Sequence, residues 1–406
     1  MEFDLVQLQR EWIRGISSND FLARVQERRA QIEASSAQER LRGVLITETD
    51  PIAFIASLFA SVDLKVPVIL ANPNWGCKEW EELSALIDPV IFFGISGMPS
   101  QEKCGSPNLK PGAILIPTGG TTGGLRLAIH NWSSLSAPVP GLQKFLGGGA
   151  IHCACQLPLY HVSGLMQVMR SLQTGGFIHF DENVYEGDCL SLVPTQLHRA
   201  MECAQGTDNL KTARAIFVGG SSMPESVAKQ AQALRLPVIP VYGMTETAAM
   251  IAAVPNEEFL RDSQAGAVAL GETHFSLRDG QIQIQTPSLF QGYQGSEPIE
   301  FSQGYLTGDR GEIDKSGRLH IYGRADCLIN TGGEKVDPRE VEAALLEIKG
   351  INAAIVYGEP DLEWGQALVA RINCAQEIDL EKVRAELKIQ LGNYKLPRRF
   401  VREEQG

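Results

Sequence analysis

The sequence predicts an α/β fold in which a large N-terminal domain of layered α/β sheets plus an antiparallel β subdomain is followed by a small α+β C-terminal domain. Three observations predict it. Short runs rich in Val, Ile and Phe alternate with helix-like segments through the first half of the chain. Gly-punctuated alternating runs replace them between Gly266 and Tyr322, and a compact mixed segment comes after Gly323. At 406 residues the chain also exceeds one ordinary core, so domains at 1–324 and 325–406 are expected.

The elements follow in order. Up to Arg42, Leu5, Leu8, Trp12, Phe21, Leu22 and Val25 fall at helical spacing. GVLITE (Gly43–Glu48), VPVILAN (Val66–Asn72) and PVIFFGI (Pro89–Ile95) read as strands, with helices at Ile52–Ala60 and Glu79–Ile87 between them. The same rhythm resumes at Gly112–Ile116 and Ala213–Val218, which predicts a largely parallel sheet. QIQIQT and GEIDKSGRLHIYG read as antiparallel hairpins, with KSG as a turn. Further on, Asp337 is a plausible N-cap with Pro338 at the first helical position. AAIVYG, ALVARIN and a helix near Leu380–Leu391 complete the small domain.

Apolar residues at 44% and charged residues at 21% describe a globular chain. A formal charge of −12 argues against a nucleic-acid surface, which needs clustered Lys and Arg. The opening MEFDLVQLQREW lacks the pattern of a secretory signal, and no apolar run is long enough to span a membrane. A cytoplasmic protein with reduced thiols is therefore expected. His152, Cys153 and Cys155 in IHCACQLP could ligate a metal, but the alternation fits a half-buried strand better.

The chemistry gathers in four segments. Thr118-Gly119-Gly120-Thr121-Thr122-Gly123-Gly124 follows the strand AILIP and would bare backbone N–H groups toward an anion. No Gly-Lys-Ser/Thr follows, so it is not a Walker loop. VYGMTET (Val241–Thr247) sets an aromatic face at Tyr242, a hydroxyl at Thr245 and a carboxylate at Glu246 within five residues. YLTGDRG (Tyr305–Gly311) presents Asp309, and GRADCLINTGGEKVDPREVE (Gly323–Glu342) follows.

These four segments, in this order, resemble the acyl- and aryl-adenylate-forming superfamily, which includes the acyl-CoA ligases. The resemblance implies a phosphate loop holding ATP through Thr118, Gly119, Gly120, Thr121, Thr122 and Gly123. Arg126 stands where the family usually has Lys, and Leu125 where it has Pro; a cation is kept, though Arg and Lys bind phosphate differently. It further implies Tyr242 and Gly243 at adenine, Thr245 at the α-phosphate and Glu246 as a Mg²⁺ ligand. Asp309 is implied at the ribose and Arg324 at ribose or phosphate, with Gly332 and Gly333 along the approach of the coenzyme A thiol. Asp326 matches the hinge of a mobile C-terminal domain. PLYHVSGL places His161 in the acyl pocket. FVGGSSMP brings Gly219, Gly220 and Ser221 between adenine and acyl group, through backbone more than through Ser221 or Ser222.

SLVPTQLHRAM (Ser191–Met201) resembles a segment of the 2-succinylbenzoate–CoA ligases of menaquinone and phylloquinone synthesis. Locally it reads as a helix start with Thr195 as cap and Leu192, Val193 and Leu197 packed inward. An acid with two carboxylates and a ring needs an apolar wall and a cation or donor for the spare carboxylate; Gln196, His198 and Arg199 are the candidates. Another acyl- or aryl-acid CoA ligase, a carrier-protein-loading enzyme and a non-catalytic acyl-nucleotide binder are the alternatives. YKLPRRF (Tyr394–Phe400) is not followed by the family's P-K-T-x-x-G-K run, and Lys395 and Arg398 do not match its lysine. The expectation is slow adenylation with thioester formation better kept.

Overall fold

The computed structural model describes residues 3–94, 109–119, 124–297, 299–324, 328–361, 363–374 and 378–402. The chain forms two compact units, one of Met1–Thr307 with Gly311–Ile321 and one of Gly308–Arg310 with Tyr322–Gly406. The sequence predicts the boundary at 324/325; the second unit takes Tyr322–Gly406 and also Gly308–Arg310.

The first sheet contains β1 (Val44–Ile46), β2 (Val68–Leu70), β3 (Ile91–Phe93), β4 (Ile114–Gly119) and β5 (Leu125–His130). Their order is β3-β1-β2-β4-β5, parallel except for β5. β1 to β3 are three-residue strands of Val, Ile, Leu and Phe, apolar throughout because helices cover such a sheet. The second sheet contains β6 (His152–Ala154), β7 (Ile178–His179), β8 (Asp188–Leu192), β9 (Ala215–Val218), β10 (Val238–Met244), β11 (Ala249–Ala253) and β12 (Val268–Ala269). It runs β12-β11-β10-β9-β8-β6-β7, parallel from β7 to β10 and antiparallel at β11 and β12.

One core lies between these sheets. The helix Pro51–Asp63 is buried from Phe54 to Val62, which its two-sided apolar composition dictates. Phe59 sits in an aromatic cluster with Trp12 (centroids 6.0 Å) and Trp132 (5.9 Å), each such ring contributing about 1.5–3 kcal/mol on burial. Arg10 from the N-terminal segment closes the helix Val162–Thr174. Its guanidinium donates to the carbonyls of Ser171 (2.8 Å), Leu172 (3.0 Å) and Gly176 (2.8 Å), groups a helix end leaves unpaired.

The expected hairpins appear as β13 (His274–Arg278), β14 (Gln281–Gln285), β15 (Tyr305–Ile313) and β16 (Leu319–Arg324), joined in that order. The KSG turn is built by Asp314, whose carboxylate accepts from Ser316 N, Ser316 Oγ and Arg318 N. The hydroxyl and amide bonds hold that carboxyl well below the usual carboxylate range.

In the second unit, β17 (Ile329–Thr331), β18 (Glu334–Val336), β19 (Ile351–Asp361), β20 (Gly365–Cys374) and β21 (Arg399–Arg402) form a sheet ordered β18-β17-β20-β19, with β21 on β20. The helices Pro338–Leu346 and Leu380–Gln390 pack on it through Val341, Leu345, Val383 and Leu387. Asp337 caps the first of them, with Pro338 at its first turn, as the sequence predicts.

One cap differs from expectation. The helix Pro194–Met201 starts with Pro194 in its first turn and Val193 as N-cap; Gln196 Oε1 accepts from Val193 N at 3.0 Å. Thr195 is two positions too late to cap, because Pro194 suits the first helical position and sets the boundary at Val193.

Candidate active site

β4 and β5 are the arms of the Gly/Thr loop: Thr118 pairs with Arg126 and Gly119 with Leu125. The tip residues Gly120, Thr121, Thr122 and Gly123 lie outside the described residues, as does Asp326. Leu125 N donates to Glu82 Oε2 at 2.8 Å, fixing the returning arm. Arg126 lays its guanidinium on Tyr293, Cζ 4.4 Å from the ring centroid, and its Nε is buried without a hydrogen-bond partner. A buried donor left open on the returning arm of this hairpin fits an anion such as phosphate.

The segment VYGMTET is a strand end and a turn. Gly243 is required there, since a Cβ would stand 1.8 Å from Ala249 O where β10 bulges against β11. Tyr242 is half-buried between two apolar clusters, and Thr245–Thr247 form a single 3₁₀ turn. Ala248 and Ala249 follow at φ +52° and +69°, costing about 1–2 kcal/mol each in a residue with a Cβ. Such strain persists only where surroundings hold it. Thr247 Oγ1 bonds Met244 O at 3.1 Å and Ala249 O at 2.8 Å, and Phe290 N donates to Glu246 O at 2.8 Å. His130, at the end of β5, reaches Thr245 O with Nε2 at 2.8 Å.

Glu246 is 6% exposed, and Tyr293 Oη donates to its Oε1 at 2.5 Å. Tyr305 Oη lies 3.3 Å from Tyr293 Oη. Burial first, then the Glu246 charge, push the Tyr293 phenol far above its ordinary value, so it remains a donor. A carboxylate with a hydrogen-bonded oxygen suits a hard cation such as Mg²⁺. Among the described residues no three His, Cys, Asp or Glu converge as a metal site. His152 is used otherwise: its Nδ1 accepts from Phe177 N at 3.0 Å, while burial pushes the Cys155 thiol up to about 12.

Of the residues expected at the acyl pocket, His161 is an exposed N-cap of the helix Val162–Thr174, its ring 4.6 Å from that of Tyr160. Gly164 lets this helix start against the Pro158 carbonyl, where a Cβ would come within 2.2 Å. Gly219 is half-buried with Val241 2.8 Å from where its Cβ would be, and Gly220 adopts φ +82°. Ser221 and Ser222 are exposed. Gln196 is engaged in its own helix cap; His198 and Arg199 are exposed on the same helix. None of these three is brought to a buried pocket.

A different cation is. Arg170 on the helix Val162–Thr174 is 2% exposed and lines a small apolar cleft with Val139, Leu142, Met166, Ala248 and Met250. It donates from Nη1 to Ser191 Oγ at 3.2 Å and lies over Phe217, 5.5 Å from the centroid. Among the described residues no carboxylate pairs with it, and burial lowers its pKa from the arginine value. A buried cation without an anion is costly, which marks Arg170 as a candidate partner for a carboxylate.

In the second unit Asp309 is 8% exposed, with Arg324 Nη1 3.8 Å from its Oδ1. Gly308, at φ +77°, leaves room for that guanidinium; a Cβ would stand 3.2 Å from Nη2. Gly332 and Gly333 have φ +59° and +86°. Trp364 covers Gly332, whose added Cβ would meet the ring at 2.7 Å, and Arg398 stacks on Trp364 at 3.7 Å. Lys395 pairs with Glu340.

Comparison with known proteins agrees with this architecture. The AMP-binding enzyme family matches residues 24–294, and the AMP-binding enzyme C-terminal domain matches residues 340–404. A 2-succinylbenzoate–CoA ligase of Enterococcus faecalis is 30% identical over 84% of this chain and 76% of its own length. One from Listeria monocytogenes (strain F2365) is 28% identical over 72% of this chain and 66% of its own length. Thus the chain spans two thirds to three quarters of these relatives. Among solved structures, E. coli MenE with a phenylether-linked analogue of OSB-AMS has a TM-score of 0.79 at 22% identity, covering 98% of this chain and 93% of that one. The o-succinylbenzoate CoA synthetase of Bacillus subtilis with OSB-AMP gives 0.79 at 21%, covering 99% and 94%.

Proposed function

Because this chain belongs to the AMP-binding enzyme family, we propose that it is an AMP-forming acid–thiol ligase joining 2-succinylbenzoate to coenzyme A, in menaquinone or phylloquinone synthesis. A carboxylate oxygen of the acid attacks the α-phosphorus of ATP and the bond to pyrophosphate breaks. The thiol of coenzyme A then loses its proton, its sulfur bonds to the acyl carbon, and AMP leaves. Charge grows on phosphate oxygens in the first step, so fixed donors and cations supply most of the acceleration.

The residues divide this work. The Gly/Thr loop and Arg126 take the β- and γ-phosphates, and Thr245 takes the α-phosphate. Glu246 would hold Mg²⁺, which when bound neutralises phosphate charge. Tyr242 packs on adenine, Asp309 takes the ribose hydroxyls, and Arg324 supplies positive potential near them. His161 borders the reacting carboxylate, while Gly332 and Gly333 leave a passage for the thiol. Domains 1–324 and 325–406 would hinge at Asp326. Among the described residues no helix is long and apolar enough to cross a membrane, and a cytoplasmic location suits these soluble substrates.

Arg170 carries the choice of acid. A buried guanidinium with no carboxylate of its own, opening on an apolar cleft beside the Thr245–Ala248 turn, matches an aryl acid with a second carboxylate. The test is Arg170→Met, an uncharged side chain of similar reach. KM for 2-succinylbenzoate should rise about 100-fold with KM for ATP unchanged. An unchanged KM for the acid would remove Arg170 from the acyl site and with it the support for a dicarboxylate.

A further inference from the structure

We propose that His130 is a positioning residue for adenylation: it holds the peptide on the N-terminal side of Glu246 so that Thr245 and Glu246 face the phosphates in fixed geometry. The proposal rests on the ligase reading above and names a residue that reading does not use.

The argument is geometric. The orientation of a side chain at Glu246 depends on the two peptide planes that flank its Cα. The preceding plane ends in Thr245 O, which His130 Nε2 reaches at 2.8 Å. The following plane ends in Glu246 O, which accepts from Phe290 N at 2.8 Å. Both planes are thus held from outside the turn, by β5 and by the segment after Ser288. The turn needs such holding, since two alanines at positive φ come directly after it.

His130 is itself fixed on its other side. Nδ1 lies 3.0 Å from Ser134 Oγ. With Thr245 O as an acceptor, Nε2 carries the hydrogen and Nδ1 accepts from Ser134. Ser134 in turn belongs to the cap of the helix Trp132–Ser136, where Ser134 N donates to Asn131 Oδ1 at 2.8 Å. Because β5 starts at the Gly/Thr loop and ends at His130, one six-residue strand ties the phosphate loop to the Thr245–Glu246 turn. That link spans 115 positions of sequence.

The experiment compares full-length wild type with His130→Ala, His130→Gln and Ser134→Ala. Two readouts are taken: amide hydrogen exchange over residues 245–249, and kcat and KM for pyrophosphate release. His130→Ala should speed exchange in the turn and lower kcat about 100-fold, with KM for the acid within about twofold of wild type. His130→Gln, whose amide can donate to the same carbonyl, should restore slow exchange and most of kcat. Ser134→Ala should loosen the turn more weakly, and it decides the matter if His130→Ala does not fold. Wild-type exchange and kcat in His130→Ala, or equal damage from Ala and Gln, would overturn the proposal. If wild type releases no pyrophosphate with any acid, the ligase reading fails, and exchange in the turn alone decides whether His130 braces it.

Discussion

Tyr293 donates its phenolic hydrogen to Glu246 Oε1 at 2.5 Å, while the guanidinium of Arg126 lies over the same ring, 4.4 Å from its centroid. One aromatic side chain therefore joins the Glu246 carboxylate to the Arg126 cation of the β4–β5 hairpin. The pairing crosses 47 positions of sequence. Tyr293→Phe keeps the ring under Arg126 and removes only the hydrogen bond to Glu246. A charge-assisted bond of this kind contributes about 1.5–3 kcal/mol, so pyrophosphate release should slow by tenfold or more and need more Mg²⁺ for saturation. Rates and Mg²⁺ dependence equal to wild type would show that Glu246 is oriented without it.

Under the proposed ligase reading, the charge of Arg170 sets acid preference rather than catalytic rate. Arg170→Met should therefore narrow the gap between 2-succinylbenzoate and aryl acids with a single carboxylate, by about 100-fold in the ratio of kcat/KM values. Competition between a mono- and a dicarboxylic aryl acid measures it. A ratio unmoved by the substitution would place the second carboxylate elsewhere.

His130 gives the first unit a pH dependence whose direction is fixed. Burial pushes its pKa down to about 4, with the bond to Thr245 O opposing, whereas an unfolded His titrates near 6.5. The unfolded chain therefore binds more protons between these values, and stability falls as pH drops from 6.5 toward 4. The His130 share reaches about 3 kcal/mol at the acid end. Urea unfolding followed by tryptophan fluorescence should show a steeper loss in wild type than in His130→Gln over that range. Parallel pH slopes would contradict a buried neutral imidazole.

In the second unit, Gly332 combines φ +59° with a Trp364 ring 2.7 Å from where a Cβ would be. Gly332→Ala should cost the small unit about 1–3 kcal/mol and slow conversion of synthetic acyl-adenylate plus coenzyme A to thioester. Pyrophosphate release should change much less. Equal losses in both half-reactions would argue against a thiol passage at Gly332.

Much of this arrangement is legible in the sequence because it is local. Val/Ile/Phe runs such as VLI and IFF need only burial on both faces to become parallel strands, and the Asp314 turn needs only its own neighbours. The Gly/Thr loop and the VYGMTET turn are likewise visible as residue types at close spacing. Arg170 is not, because VSGLMQVMRSLQT reads as an amphipathic helix with an ordinary polar position; only packing against the second sheet buries that arginine. His130, Tyr293 and Phe290 escape for a related reason, since their partners in the Thr245–Thr247 turn lie far from them in sequence. Gln196, His198 and Arg199 look suitable by type, but their helix turns two of them to solvent and spends the third on its cap.

The central claim is the reaction itself, and the most direct measurement is pyrophosphate release by the full chain with ATP, Mg²⁺ and coenzyme A across a panel of acids. The panel holds 2-succinylbenzoate, benzoate, other aryl acids and fatty acids, with the thioester product identified by mass. The account predicts release confined to 2-succinylbenzoate together with its coenzyme A thioester. Release with a monocarboxylic or fatty acid in preference, or none with any acid, would contradict it.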